Sequence, residues 1–178
     1  NAPNDDVRVY VIDSGVGLHV DLPNVIERHS GRDGVLPVGC YSHATHVAGI
    51  VGATGGGSNA AYGVDRGVKM VSINFNTLDD VAHGCSEGAD YSATTTSVLI
   101  AALSLAKLRI IQTGKFEIVN ISANAPSFRS NTSLGAKFRE LTTVGINYPG
   151  AVVVLSAGNK MQANCEETYE AVNDGDGI

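Results

Sequence analysis

The chain has 178 residues, which predicts one domain with a single sizeable core. Its hydrophobic content of 43 % excludes an intrinsically disordered protein, and its net charge of −6 lacks the basic footprint of a nucleic-acid-binding protein. A low charged fraction of 17 % together with 21 glycines indicates a dense α/β core joined by tight turns.

Short apolar segments alternate with helical patterns along the chain. Four segments rich in β-branched residues predict strands buried on both faces at 7–13, 68–74, 117–122 and 151–157. Helical patterns cover 43–53, 94–113 and 133–145. Threonines at 94–96 supply a cap for the second helix, and Gly114 is placed to end it. This alternation predicts an α/β fold in three layers, with helices on both faces of a mostly parallel sheet.

No segment of the sequence is predicted to cross a membrane. The longest apolar run, 98–108, is broken by Ser104 and Lys107. The first residue is Asn1, from which we expect a processed or shortened chain.

The chain has three cysteines, Cys40, Cys85 and Cys165, which are too few for a disulfide scaffold. They could form one disulfide and leave a free thiol, or remain three free thiols. Residues 160–178 carry a net charge of −4 and are expected to form a solvated acidic excursion.

Polar residues stand at two predicted strand ends, where parallel sheets gather functional groups. Asp13 ends the first strand, and a carboxylate after an apolar run needs hydrogen-bond donors or a cation. Taken alone, it is more simply a cap or turn residue. Asn159 follows the last strand, where its amide could donate to a developing oxyanion. His43 and His46 share one helix face, but they lack the spacing and the glutamate of a zinc helix.

Three blocks in this order closely resemble those of the subtilisin-like serine proteases, or subtilases. VYVIDSGV resembles the aspartate block of that family, HATHVAGIV its histidine block and VVVLSAGN its oxyanion-asparagine block. The resemblance extends from Val7 to Lys160 and implies a subtilisin-like fold. It also implies a secreted or extracytoplasmic endopeptidase that acts on polypeptides, with a propeptide or a protein inhibitor as possible partners.

The resemblance assigns a role to each of these residues. Asp13 would orient the imidazole, His43 would be the general base and Asn159 would donate to the oxyanion, while His46 would be a packed second histidine. Substrate would bind as an extended strand between two short segments, formed by Gly88, Ala89 and Asp90 and by Ser122, Ala123 and Asn124. No cofactor is required for this chemistry. Asp21 resembles a calcium-ligand aspartate of the family, so a structural calcium ion is a secondary expectation.

The sequence departs from the family pattern in three places. Ala44 stands where the histidine block normally has glycine, and Asn124 and Ala125 replace glycines of the substrate strand. No Gly-Thr-Ser nucleophile block occurs in the chain. We therefore expect 1–178 to be a single, incomplete catalytic domain whose C-terminal part, with the serine, lies on a segment absent from this chain. The alternative is a catalytically inactive pseudoprotease that serves as a binding or regulatory module.

Other motifs have simpler explanations. Gly84–Gly88 matches the G-x-S-x-G nucleophile elbow, but all five histidines precede Ser86 and the α/β-hydrolase order requires one after it. The glycines at 52–57 resemble a dinucleotide-binding turn, yet they follow a helical pattern, which favours a loop. Asn131 begins a glycosylation sequon and is equally suited to cap a helix.

Overall fold

A computed structural model describes residues 7–32, 37–39, 42–57, 60–76, 95–122 and 131–156 of the chain. Within these ranges the chain forms five strands and three helices in an alternating order. The strands are β1 (Arg8–Asp13), β2 (Val25–Ser30), β3 (Lys69–Asn74), β4 (Glu117–Ile121) and β5 (Ala151–Leu155). The helices are α1 (Ser42–Gly52), α2 (Thr96–Thr113) and α3 (Thr132–Thr142).

All five strands are parallel and lie in the order β2-β3-β1-β4-β5. The chain first winds to one side of β1 and then, from β4 onward, to the other side. The reversal leaves β1 in the centre of the sheet, and Asp13 at its carboxyl end. In open α/β sheets, ligands bind at the carboxyl ends of the strands beside such a reversal.

Alternating side chains of β1 enter two separate cores. Val9 and Val11 pack with Ala44 and Ala48 of α1 on one face of the sheet. Tyr10 and Ile12 pack on the opposite face, in the cluster that contains the buried residues of α2 and α3. The near-continuous apolar pattern of this strand therefore reflects burial on both sides. The predicted three-layer α/β architecture is confirmed.

Local sequence signals set the helix boundaries. Thr95 caps α2 by accepting a hydrogen bond from the Val98 amide, and Gly114 ends the helix in the left-handed conformation with φ of 64°. Asn131 caps α3, since its side-chain oxygen accepts from the Leu134 amide over 3.0 Å. This helix ends at Thr142, earlier than the predicted residue 145, because the chain turns there to enter the 145–148 turn.

The edge strand β2 was missed by the sequence analysis. Only its first two residues are apolar, and Glu27, Arg28 and His29 break the pattern expected of a buried strand. These polar residues are tolerated because, among the described strands, β2 pairs with β3 alone, with a register irregularity between Val25 and Glu27. Glu27 also accepts from Arg8 of β1 over 3.2 Å.

The sequence predicts no membrane span, but helix α2 has the length and composition of one. It is 18 residues long and has a mean hydropathy of 1.3. However, one face of the helix is buried in the core against the sheet, through Leu99, Ala102, Leu103, Ala106 and Ile110. We therefore interpret α2 as the core helix of a folded domain.

Some predictions lie outside the described residues. These include the three cysteines, the 84–88 motif and the acidic stretch at 160–178. The boundary of the domain also stays a prediction.

Candidate active site

Asp13 and His43 meet at the carboxyl edge of the sheet, as the sequence predicts. The imidazole Nδ1–H donates to Asp13 Oδ1 over 2.9 Å. The two residues are 30 positions apart in sequence and come from different elements, β1 and α1. The aspartate side chain is only 4 % exposed, whereas the histidine side chain is 46 % exposed. A buried carboxylate thus holds an imidazole that solvent or a substrate can reach.

Neighbouring groups fix the Asp13 carboxylate in place. Its Oδ1 also accepts from the Ser14 amide over 2.6 Å and from the Ser14 hydroxyl over 3.1 Å. Its Oδ2 is buried without a hydrogen-bond partner among the described residues. The chain then turns at Gly15, where φ is 89° and a Cβ would lie only 2.6 Å from the Gly39 nitrogen, so a larger residue is excluded.

Helix α1 places His43 above the end of β1. Ala44 lies next to His43 within α1 and is completely buried, so alanine fits the position where the family normally has glycine. Thr45 ties the helix to the loop after Asp13, because its hydroxyl accepts from the Gly17 amide over 2.9 Å. The first turn of α1 and the end of β1 are therefore held together beside the Asp13–His43 contact.

Two further residues that the sequence analysis missed hold the loop after Asp13. The Ser72 hydroxyl accepts from the Val16 amide over 2.9 Å, and Arg28 Nε donates to the Val16 carbonyl over 3.1 Å. Burial lowers the pKa of the Arg28 guanidinium. Ser72 could have been noticed as the one hydroxyl in the apolar strand β3, whereas no local pattern points to Arg28.

The expectation that His46 is a packed histidine is wrong. His46 is exposed on α1 and lines a mainly apolar cavity of about 440 Å³, together with His19, Asp21 and Tyr62. A spacing of three places His43 and His46 on neighbouring parts of the helix surface, but only His43 contacts the aspartate.

Asp21 is hydrogen-bonded to the loop that follows α1. Its carboxylate accepts a hydrogen bond from the Gly57 amide, and its carbonyl accepts from the Thr54 amide over 2.8 Å. Within the described ranges, no group of three or more His, Cys, Asp or Glu side chains could hold a metal ion. Calcium also binds backbone carbonyl oxygens and water, so a structural calcium ion at Asp21 stays a prediction.

Of the predicted substrate segments, the structure describes Ser122 alone. It follows β4 at the same carboxyl edge as Asp13, and its hydroxyl accepts from the Asn120 amide group over 2.9 Å. The other predicted site residues lie outside the described residues: Gly88, Ala89, Asp90, Ala123, Asn124 and Asn159.

Several solved structures are similar to this chain. The MycP3 protease from the type VII (ESX-3) secretion system is 29 % identical, with a TM-score of 0.58 over 86 % of this chain and 41 % of that one. MycP1 with its N-terminal propeptide removed is 25 % identical, with a TM-score of 0.52 over 88 % and 44 %. The Clostridium perfringens CspB protease is 21 % identical, with a TM-score of 0.65 over 86 % and 35 %, and supports the fold alone.

The chain spans less than half the length of each of these three structures. No match was found among curated proteins. A family model for subtilases, peptidase family S8, matches residues 4–174, which is nearly the whole chain. The match includes both residues of the Asp13–His43 pair. The chain belongs to the subtilase family.

Proposed function

We propose that this chain supplies the aspartate and the histidine of a serine endopeptidase. The observation that carries the proposal is the 2.9 Å contact between His43 Nδ1 and the buried Asp13 carboxylate. In a Ser-His-Asp triad, the aspartate holds the imidazole in the tautomer whose Nε2 accepts the proton of the nucleophile. It then stabilises the imidazolium that forms.

The serine nucleophile would come from a part of the protein outside these 178 residues. The proposal rests on the absence of a Gly-Thr-Ser block from the sequence and on the greater length of the solved relatives. The serine hydroxyl would attack the scissile carbonyl as His43 takes its proton. His43 would then donate that proton to the leaving amine, and water would hydrolyse the acyl-enzyme.

We further propose that Asn159 donates to the oxyanion of the tetrahedral intermediate. Asn159 follows β5 by four positions in sequence, and β5 pairs with β4 beside the central strand. An amide donor at such a site stabilises the transition state by about 2.7–4 kcal/mol. Substrate would pair as an extended strand with the main chain at 88–90 and 122–124, which follows the carboxyl end of β4.

The setting of this activity is also a proposal. One similar structure is described as lacking its propeptide and another as part of a type VII secretion system. On that basis we propose a propeptide-regulated enzyme that acts outside the cytoplasm on polypeptides.

Labelling the complete protein, with any propeptide removed, with a fluorophosphonate tests this function, because such probes react only with an activated serine. We expect one labelled serine, mapped by mass spectrometry to a position outside these 178 residues. His43→Ala should abolish labelling, whereas His46→Ala, three residues away on the same helix, should retain it. Labelling of a serine within these residues would contradict the proposed origin of the nucleophile. Absence of any labelling would favour the inactive pseudoprotease.

A further inference from the structure

Val16 and Gly17, in the loop after Asp13, are contacted by three different elements of the fold. The Val16 amide donates to the Ser72 hydroxyl of β3 over 2.9 Å. The Gly17 amide donates to the Thr45 hydroxyl of α1, also over 2.9 Å. The carbonyls of both residues accept from a single side chain of the edge strand β2, that of Arg28. The backbone of this short segment is therefore fixed from β2, β3 and α1 together.

Arg28 directs every nitrogen of its guanidinium to a backbone carbonyl. Its Nε donates to Val16 over 3.1 Å, its Nη2 to Gly17 over 3.3 Å and its Nη1 to Val25 over 3.1 Å. Among the residues that the structure describes, no carboxylate lies within ion-pair distance of Arg28. A half-buried cation without a counter-ion is costly unless its donors are satisfied, and here the loop after Asp13 satisfies two of them.

The pairing of the strands explains how Arg28 reaches this loop. In the sheet, Arg28 stands beside Ser72 of β3, and Ser72 stands beside Val11 of β1. Side chains that are in register on neighbouring strands lie on the same face of a sheet. Val11 packs in the core under α1, together with the buried Val16. Arg28 and Ser72 therefore lie on the face that α1 covers, where they bind the carbonyl and the amide of the same residue.

The same loop is joined to both sides of the Asp13–His43 contact. It directly follows Asp13, and it is hydrogen-bonded to Thr45, two positions after His43 in α1. The carbonyl bound by Arg28 Nε and the amide bound by Thr45 belong to one peptide unit. Hydrogen bonds in such a chain polarise one another, so donation by the guanidinium strengthens donation by the amide to the Thr45 hydroxyl.

We propose that Arg28 is a positioning residue, which sets the contact between the His43 imidazole and the Asp13 carboxylate through the loop at 16–17. This role rests on the proposed peptidase function. A misplacement of about 1 Å caused by a residue remote from the chemistry can cost about 10²-fold in rate. Lysine cannot replace Arg28, because its ammonium lacks the planar set of donors that binds two consecutive carbonyls.

Kinetics of the complete protein on a peptide substrate, with any propeptide removed, test this role. Arg28→Met keeps an unbranched side chain without its donors, and should lower kcat roughly 10- to 100-fold while KM changes less than about twofold. Arg28→Lys should lose nearly as much. Thr45→Val should reproduce the loss, and the double variant should lose at most about threefold more than the weaker single variant, because both side chains bind one peptide unit.

Arg8→Met is the matched control. Arg8 begins β1, the strand that Asp13 ends, and its Nη1 donates to Glu27 over 3.2 Å. This variant also removes a guanidinium contact, but at the opposite end of the strand, so kcat should change less than about twofold. The proposal is overturned if Arg28→Met and Arg8→Met have equal kcat, if Arg28→Met raises KM alone, or if the losses of Arg28→Met and Thr45→Val are additive.

The proton that His43 Nδ1 donates to Asp13 gives a second readout, which does not need catalysis. Such a proton has a far-downfield ¹H NMR resonance that broadens as its exchange with water becomes faster. We expect a sharp resonance in wild type and Arg8→Met, and a broadened or lost one in Arg28→Met, Arg28→Lys and Thr45→Val.

The resonance also separates the positioning role from the proposed function. If wild type shows the resonance without peptidase activity, the proposed function fails, and the comparison of variants still decides the role of Arg28. Should Arg28→Met fail to fold, Arg28→Lys and Thr45→Val provide the same comparison. A resonance as sharp in Arg28→Lys as in wild type, or none in wild type, overturns the proposal.

Discussion

At the residue scale, the Asp13 carboxylate is kept in place by donors that lie next to it in sequence and space. The Ser14 amide and hydroxyl and the His43 ring all donate to its Oδ1. Burying a carboxylate at a strand end would be costly without such donors. Because Ser14 directly follows Asp13, the carboxylate is oriented largely by its neighbour in sequence, and α1 positions the imidazole of His43 beside it.

Glu117 and Glu27 lie toward the edge of the sheet opposite the Asp13–His43 pair, and their carboxylates have contrasting environments. Glu117 is fully buried, and desolvation raises the pKa of its carboxyl group, although the Thr113 hydroxyl partly offsets the shift by donating over 2.7 Å. Glu27 is half-buried, and the hydrogen bond from His29 lowers the pKa of its carboxyl group, with Arg109 and Arg8 acting in the same direction. The two glutamates therefore affect stability with opposite dependence on pH.

Replacing Glu117 with glutamine should stabilise the protein at neutral pH. An acid whose pKa is raised on folding costs stability above its unfolded pKa of about 4.3. We therefore expect Glu117→Gln to raise the free energy of unfolding by about 1 kcal/mol at about pH 8 and to have little effect at about pH 4. Urea unfolding at the two pH values measures the difference.

Glu27→Gln is the matched control with the opposite sign. The ionised Glu27 contributes stability above the unfolded pKa, and that contribution is lost as the pH falls through the folded pKa. The variant should therefore lose about 1 kcal/mol at about pH 8, with the loss shrinking toward about pH 4. A stability loss for Glu117→Gln at the higher pH would show that its ionised form is stabilised in the fold.

At the element scale, the helix ends were predictable because caps are local. Thr95, Gly114 and Asn131 each act through groups within four positions of themselves. Strand β2 was not predictable in this way. Its polar residues are tolerated because the strand lies at the edge of the sheet, and that position depends on how the strands pair. The same limit explains His46, since its exposure depends on what packs around α1 and not on its spacing from His43.

The cap of α3 gives a stability prediction. Asn131→Ala should lower the free energy of unfolding by about 1 kcal/mol, because the Leu134 amide loses its side-chain acceptor. Ser133→Ala removes the same glycosylation sequon but leaves the cap intact, and should change stability by less than about 0.5 kcal/mol. Thermal unfolding of both variants, produced without glycosylation, would disprove the capping role if the two losses were equal.

At the scale of the whole molecule, the winding of the sheet brings the site together. The strands before β4 lie on one side of β1 and the later strands on the other, so Asp13 ends a central strand. Helix α1 packs on β1 and β3, with His43 in its first turn. Alternation of strands and helices was enough to predict a mostly parallel sheet with helices on both faces, but it predicted neither β2 nor the order of the strands.

We propose His43, oriented by Asp13, as the general base of a peptidase. Values of kcat/KM for the full-length enzyme on a peptide substrate, measured for wild type, His43→Ala and His46→Ala, test this role. We expect a loss of about 10⁶-fold for His43→Ala, because base and nucleophile act as one unit. We expect a change of less than about threefold for His46→Ala, whose side chain does not contact Asp13. Comparable activity of the two variants would show that His43 is not the base.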